Sequence, residues 1–246
     1  MTNLPHHDVM QSLSARILEL QPENGWYPHY LAQQGHRMEL DLHLLVGAVA
    51  PPARVLDIGC NPPLVVATLK RLGYRAEGID LNPEAFARLT GEEGLTIHRC
   101  DIEQATLPFP DRSFDAISMS EVFEHLRLNP VNTMREVFRV LKDGGLLQLT
   151  TPNLFSLGGI RNFLMRQQAH FWTTRDLFDE LDMVNTSGFA GHVREYTYRE
   201  VEGFLRRVGF CRVEPTFRLG GTKGWTQGVY HLAPFLRPNV AFHAWR

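Results

Sequence analysis

The chain is poor in cysteine. Its 246 residues include three, Cys60, Cys100 and Cys211, and no two of them form a CxxC pair or another zinc-type spacing. A small, odd number of scattered cysteines argues against a disulfide framework and indicates reduced thiols. We therefore expect a cytoplasmic protein.

Long apolar runs and a large net charge are also lacking. The longest nearly apolar stretch, residues 42–50, is far shorter than the roughly 20 residues that span a bilayer. We therefore expect no transmembrane segment. The first residues also lack the basic start and apolar run of a signal peptide. The formal net charge is -2 and no dense basic stripe occurs, which speaks against nucleic acid as a partner.

Strand and helix signals alternate from Arg54 onward. Short apolar strands are predicted at residues 55–58, 74–79, 95–99, 114–119 and 146–150, and two more near the end at 210–217 and 239–245. Alternation of this kind is typical of the α/β class, with a doubly wound, mostly parallel, seven-stranded sheet and a Rossmann-like fold.

We interpret residues 1–246 as a single domain. It has a helical segment over residues 1–50 and an α/β core over 51–151. An inserted cap segment follows over 152–195, and a C-terminal helix with strands over 196–246. The insertion is rich in aromatic residues and arginine and has no clean period, so we expect it on the ligand side of the sheet.

Acidic residues stand at the ends of four successive predicted strands. They are Asp57, Asp80, Asp101 and Glu121, each separated from the next by about one strand and one helix. Ligands of parallel sheets bind beyond the carboxyl ends of the strands. A ligand that lies across this edge can therefore meet all four carboxylates.

Five short motifs in this region resemble those of class I S-adenosylmethionine-dependent methyltransferases. They are Val55-Leu56-Asp57-Ile58-Gly59-Cys60, Gly78-Ile79-Asp80-Leu81-Asn82, Cys100-Asp101-Ile102, the stretch 107–117, and Val140-Leu141-Lys142-Asp143-Gly144-Gly145. Each motif alone is weak, but five in the same order and at the same intervals are specific. The resemblance implies a methyltransferase fold with S-adenosyl-L-methionine as its cofactor.

The resemblance also implies the cofactor contacts. Asp80 is expected on the two ribose hydroxyls, a role that suits an acceptor-only carboxylate. Asp101 is expected on the adenine amine, with Leu81 and Ile102 on the adenine faces. The remaining expected contacts surround the methionine part and are Asp57, near the ammonium group, Gly59, Cys60 and Ser120.

The turn after the first strand departs from the family. Instead of further glycines, Asn61-Pro62-Pro63 follow Cys60. Prolines offer no N–H to a pyrophosphate, so the turn argues against a nicotinamide enzyme. Because S-adenosylmethionine has no phosphate, the methyltransferase interpretation survives this departure. A non-catalytic binding protein that retains the fold stays open as an alternative.

Glu121, Glu124 and His125 follow the fourth strand at positions i, i+3 and i+4, which share one face of a helical turn. In one interpretation, His125 or Glu121 is a general base for the acceptor hydroxyl. In the other, the three residues and a later His192 bind a divalent metal that lowers the pKa of that hydroxyl. The second has support from resemblance, because Glu-x-x-Glu-His with a later His is similar to the metal site of small-RNA 2′-O-methyltransferases and ubiquinone-pathway O-methyltransferases. A purely structural role is the third possibility.

The sequence thus predicts O-methylation of a small-molecule, sugar or glycan-lipid hydroxyl, with a small-molecule or glycan acceptor as the partner. RNA 2′-O-methylation is an alternative that the Glu-x-x-Glu-His pattern permits and the acidic charge balance opposes. The sequence leaves the acceptor and the oligomeric state open.

Overall fold

A computed structural model describes residues 5–23, 25–169, 176–187, 191–218 and 225–246. Its strands form one seven-stranded sheet in the order β3-β2-β1-β4-β5-β7-β6. The strand bounds are β1 Arg54–Ile58, β2 Arg75–Asp80, β3 Thr96–Arg99, β4 Phe114–Ser120, β5 Leu141–Pro152, β6 Arg212–Arg218 and β7 Asn239–Trp245. The first five run parallel, while β7 lies antiparallel between β5 and β6. The predicted mostly parallel α/β sheet is confirmed.

Helices cover both faces of the sheet. Their bounds are α1 Pro5–Leu20, α2 Tyr27–Ala48, α3 Leu64–Arg71, α4 Ala87–Glu92, α5 Pro130–Val140, α6 Leu157–Arg166, α7 Leu177–Ser187, α8 Tyr198–Val208 and α9 Trp225–Leu232. Side chains of β1 point alternately to two buried clusters. Val55 packs with α1, α2 and α3, whereas Leu56 and Ile58 pack with α5 and α8. This period-two alternation places one apolar core on each side of the sheet.

Local signals explain where several helices begin. The Asn129 side chain accepts a hydrogen bond from Asn132 N ahead of Pro130, and Thr197 with Glu200 forms a capping box at the start of α8. Asn82, also followed by proline, makes no capping hydrogen bond and precedes a 3₁₀ turn, Pro83–Phe86, that leads into α4. Its carbonyl accepts instead from the Asn61 side chain at 2.6 Å.

Two regions differ from expectation. Strand β5 starts directly after α5, at Leu141 and not at the predicted residue 146, so Gly144, at φ 74°, lies within the strand. The insertion contains the helices α6 and α7, which its irregular pattern did not predict. In the part of the chain that is described, no helix has both the length and the apolar character needed to cross a membrane.

Candidate functional site

A sharp turn follows β1 at the carboxyl edge of the sheet. Gly59 adopts φ 72°, and a Cβ at this position would lie 2.5 Å from Val122 Cγ2 in the loop after β4. Both Gly59 N and Cys60 N donate to the Ile79 carbonyl of β2, at 2.9 and 3.2 Å. Only glycine fits this backbone and this spacing, so the ends of β1, β2 and β4 meet closely here.

The carboxylate of Asp80 stands at the mouth of this turn. Its Oδ2 accepts from Asn61 N at 3.2 Å and its Oδ1 accepts from Asn82 N at 2.8 Å. Each carboxylate oxygen retains acceptor capacity after one such bond. The loops after β1 and β2 thus orient Asp80 and leave it able to accept from two hydroxyl groups of a ligand.

Asp57 is buried at the end of β1. Burial raises the pKa of this carboxyl to about 7, the hydrogen bond from Ser118 opposes the rise, and the negative charge of Asp80 adds to it. A cation beside Asp57 would favour the ionised form. The ammonium group of a methionine moiety is a ligand group with that property.

Asp101 follows β3 and occupies the third position along the same edge. Its oxygens accept from Glu103 N at 3.0 Å and from the Gln104 side chain at 2.6 Å. Nearby in the chain, Leu81 is exposed although apolar, and Ile102 is partly buried against the core. Two apolar side chains can contact the faces of a flat ring, while the carboxylate beside them accepts a hydrogen bond from an amino group on that ring.

The side chains of Cys60 and Ser120 differ in position. Cys60 is buried, and a Cβ added to Gly78 would lie 2.6 Å from its Sγ, so the thiol packs against β2. Ser120 is half-buried as the last residue of β4, at the same edge as the aspartates. The three aspartates, the glycine turn and the apolar flanks fit S-adenosylmethionine in their chemistry.

A second group of polar residues lies after β4. Ligand atoms of Glu124, His125 and His192 all lie within 4.8 Å of one another. Glu124 is fully buried, and its Oε2 accepts from Thr151 Oγ1 at 3.0 Å. Its Oε1 has no hydrogen-bond donor among the described residues. A buried carboxylate with one unpartnered oxygen, grouped with two imidazoles, is a donor set that fits a divalent metal.

The two imidazoles are oriented through their Nδ1 atoms. His125 Nδ1 donates to the Gly191 carbonyl at 2.7 Å, and His192 Nδ1 donates to the Glu195 carboxylate at 3.0 Å. Since a carbonyl and a carboxylate accept, each proton lies on Nδ1 and the Nε2 lone pair is left for a ligand. Metal-binding histidines generally show this arrangement.

Burial also sets the charges in this group. It lowers the pKa of His125 to about 4, with help from His192, so this imidazole is neutral near pH 7. Burial likewise raises the pKa of Glu124, and the charge of Glu121 adds to that rise. For His192 burial is opposed and outweighed by the Glu195 hydrogen bond and the Glu124 charge, which raise its pKa.

Glu121 lies outside this group of three. It adopts φ 54°, and the 3₁₀ turn that follows covers only Phe123–His125, so the predicted helical face with Glu121 does not form. Its carboxylate accepts from Thr150 Oγ1 at 3.2 Å and contacts Arg218 Nη2 at 3.4 Å. Sequence reasoning missed Arg218, because a strand-end arginine in the tail gives no local signal of this contact.

Asp57, Asp80 and Asp101 line the carboxyl ends of β1, β2 and β3, an edge that we call the cofactor edge. This edge and the fold are those of an S-adenosylmethionine-dependent methyltransferase. The family described as "Methyltransferase domain" matches residues 14–214, and the chain belongs to this family. Its cofactor is S-adenosyl-L-methionine.

Curated relatives match part of the chain. A ubiquinone biosynthesis O-methyltransferase of Xanthomonas oryzae is 38% identical over 105 residues, which are 41% of this chain and 44% of the relative. The protein of the same name from Xanthomonas campestris is 37% identical over 108 residues, again 44% of its length. The match thus spans less than half of these relatives.

Solved structures share the fold. A SAM-dependent methyltransferase from Archaeoglobus fulgidus has a TM-score of 0.61 at 18% identity, over 89% of this chain and 99% of that one. The 1,6-didemethyltoxoflavin-N1-methyltransferase of Burkholderia thailandensis, bound to S-adenosylhomocysteine, has a TM-score of 0.59 at 14% identity, over 100% and 92%.

The buried Asp57 leads to a prediction about stability. Its folded pKa of about 7 lies above the unfolded value of 3.8, so the folded state loses stability as the pH rises through this window. We expect Asp57→Asn to melt above the wild type without cofactor, by roughly 5 °C at pH 8 and by much less at pH 4.5. Thermal melting at both pH values measures this difference. Titration with S-adenosylhomocysteine should then show weaker binding by the variant, which lacks the carboxylate.

Asp115→Asn is the matched control for the direction of the change in melting temperature. Burial opposes ionisation of Asp115, but hydrogen bonds from Lys142 and Arg54 N outweigh it and lower its pKa. Replacing this aspartate therefore removes stability that is present above the unfolded pKa, so the variant melts below the wild type at pH 8. A melting difference for Asp57→Asn that does not change with pH contradicts the buried-charge explanation.

Proposed function

We propose that this chain transfers the methyl group of S-adenosylmethionine to a hydroxyl oxygen of a small molecule, sugar or glycan-lipid, assisted by a divalent metal held by Glu124, His125 and His192. One observation carries the metal: buried Glu124 has an Oε1 without a hydrogen-bond donor among the described residues, and its carboxylate lies beside two imidazoles whose Nδ1 atoms are already engaged. The name of the Xanthomonas relatives, ubiquinone biosynthesis O-methyltransferase, supports oxygen as the acceptor atom.

The cofactor would lie along the ends of β1, β2 and β3. Asp80 accepts from the ribose hydroxyls, Asp101 from the adenine amine, and Asp57 pairs with the ammonium group. Leu81 and Ile102 flank the adenine, and Gly59, Cys60 and Ser120 surround the methionine part. These contacts align the methyl carbon with the acceptor oxygen, and alignment is the main contribution of the protein to such a displacement.

The acceptor hydroxyl must lose its proton during transfer. A metal at Glu124, His125 and His192 would supply a Lewis acid that lowers the pKa of this hydroxyl. A general base is the other route, and the neutral His125 Nε2 is the candidate that this group offers. Its pKa of about 4 makes it a weak base near pH 7. Glu121 contacts Arg218 and Arg37, so its carboxylate is already engaged by two guanidinium groups.

Chelation tests the metal. Purified protein is incubated with S-adenosylmethionine and a panel of hydroxyl acceptors that includes catechol, and methylated products are measured by mass spectrometry before and after EDTA. We expect turnover to fall on the order of a hundredfold after chelation and to return with Mn²⁺ or Zn²⁺. Full turnover in a protein shown by elemental analysis to be metal-free rules the metal out and leaves His125 as the base.

A further inference from the structure

A cluster of four charged side chains lies at the carboxyl edge of the sheet, beside the group that contains Glu124. Arg218 at the end of β6 has 6% of its side chain exposed, is ion-paired with Asp41 of α2, and has its Nη2 3.4 Å from Glu121 Oε1. Arg37 of α2 is 15% exposed, with its Nη1 3.7 Å from both Asp41 Oδ2 and Glu121 Oε1. Two guanidinium groups therefore lie beside the same two carboxylates, in a site with little exposure to solvent.

The four charges do not satisfy all of their hydrogen-bonding groups. Arg218 Nε and Arg37 Nη1 are buried and have no hydrogen-bond acceptor among the described residues. Burial, and then repulsion from Arg37, lower the pKa of Arg218. Leaving a buried charged donor without a hydrogen bond is energetically unfavourable. An additional anion would satisfy these donors.

Glu121 follows β4, Arg37 lies on α2 and Arg218 ends β6, so the cluster joins the end of β4 to the antiparallel end of the sheet. Arg218 lies toward the antiparallel end of the sheet, away from the aspartates of β1, β2 and β3. The carboxyl edge at this end of the sheet is therefore available to the methyl acceptor.

We propose that Arg218, together with Arg37, binds an anionic group of the methyl acceptor, a carboxylate or a phosphate. The inference rests on the proposed methyl transfer and names the acceptor class, a hydroxyl compound that carries an acidic substituent. A planar guanidinium presents paired N–H groups that match both anions. The carboxylate of the cofactor has the same chemistry, so the test must separate the two sources.

The test compares anionic ligands with neutral ligands that carry the same ring. Calorimetry in the presence of S-adenosylhomocysteine measures benzoate against benzamide, and phenyl phosphate against phenol. We expect the wild type to prefer the anion of at least one pair by about tenfold or more, which is about 1.4 kcal/mol. Arg218→Lys keeps the charge but loses Nε, and we expect it to lose this preference.

Arg212→Lys is the matched control, because Arg212 begins the same strand. It is exposed and stacks on Trp245 at 3.5 Å, at the opposite end of β6. This variant should keep the wild-type preference. Arg37→Lys is the second variant and should weaken anion binding even if Arg218→Lys does not fold. Equal binding of both members in both pairs by the wild type overturns the proposal, whatever the variants do.

Titration with S-adenosylhomocysteine alone identifies the source of the anion. Arg218→Lys should bind it within about twofold of the wild type, because the proposed anion belongs to the acceptor. A loss of tenfold or more assigns the guanidinium to the cofactor carboxylate and overturns the inference. Anion preference without any methyl transfer to hydroxyl acceptors contradicts the proposed function alone, since binding is measured without turnover.

Discussion

Replacing Asp80 with alanine is expected to weaken the binding of S-adenosylhomocysteine by roughly a hundredfold or more. Two ribose hydroxyls donate to this carboxylate in the proposed complex, and a hydrogen bond to a charged group contributes about 1.5–3 kcal/mol. The loss of two such bonds therefore changes affinity more than any other single substitution along the cofactor edge. Isothermal calorimetry on the folded variant measures the effect.

Asp80→Asn separates the ligand contact from the support of the loops. The amide oxygen can still accept from Asn82 N, whereas its NH₂ group cannot accept from Asn61 N or from a ribose hydroxyl. We expect an intermediate loss of affinity and a melting temperature close to that of the wild type. Asp143→Ala, at the exposed amino end of β5, should bind like the wild type. An Asp80→Ala protein with unchanged affinity contradicts the proposed placement of the cofactor along these strand ends.

The cofactor edge is predictable from the sequence because its information is local. Each aspartate directly follows an apolar strand, and parallel strands bring their carboxyl ends to one edge whatever their exact bounds. Small errors in the strand limits therefore leave Asp57, Asp80 and Asp101 at the same edge. Asn61-Pro62-Pro63 replace the glycines that are usual in the family, but the backbone N–H of Asn61 still donates to Asp80.

The charged cluster is not predictable in this way. The contact between Asp41 and Arg218 joins the N-terminal helical segment to a strand near the end of the chain. Neither residue lies in a motif, and strand or helix periodicity says nothing about ion pairs between such distant segments. Glu121 shows a second limit, because its left-handed backbone interrupts the helical spacing that the sequence suggests. Tertiary contacts with Arg218 and Thr150 accompany this conformation.

His192→Ala is the second substitution expected to have a large effect, and it separates the two routes for proton removal. If Glu124, His125 and His192 hold a metal, His192→Ala and His125→Ala both lose it, and both should lose about 10²–10⁴-fold in turnover. If His125 is a general base without metal, only His125→Ala should lose that much. Elemental analysis and single-turnover rates on the two variants distinguish these outcomes.

Two further variants make the comparison specific. Glu195→Gln removes the carboxylate that accepts from His192 Nδ1, and outer-shell changes of this kind lower metal affinity about 10–100-fold. We expect added Mn²⁺ or Zn²⁺ to restore its turnover, whereas no metal concentration should restore His192→Ala. His98→Ala, which changes a partly exposed histidine of β3 that contacts Glu77, should keep both metal and turnover.

Binding of S-adenosylhomocysteine is the control for folding. All four variants, His192→Ala, His125→Ala, Glu195→Gln and His98→Ala, retain the aspartates of the cofactor edge, so each should still bind it. A variant that does not bind it is misfolded. Normal turnover in His192→Ala contradicts the metal route, because no other described histidine lies in the group with Glu124 and His125.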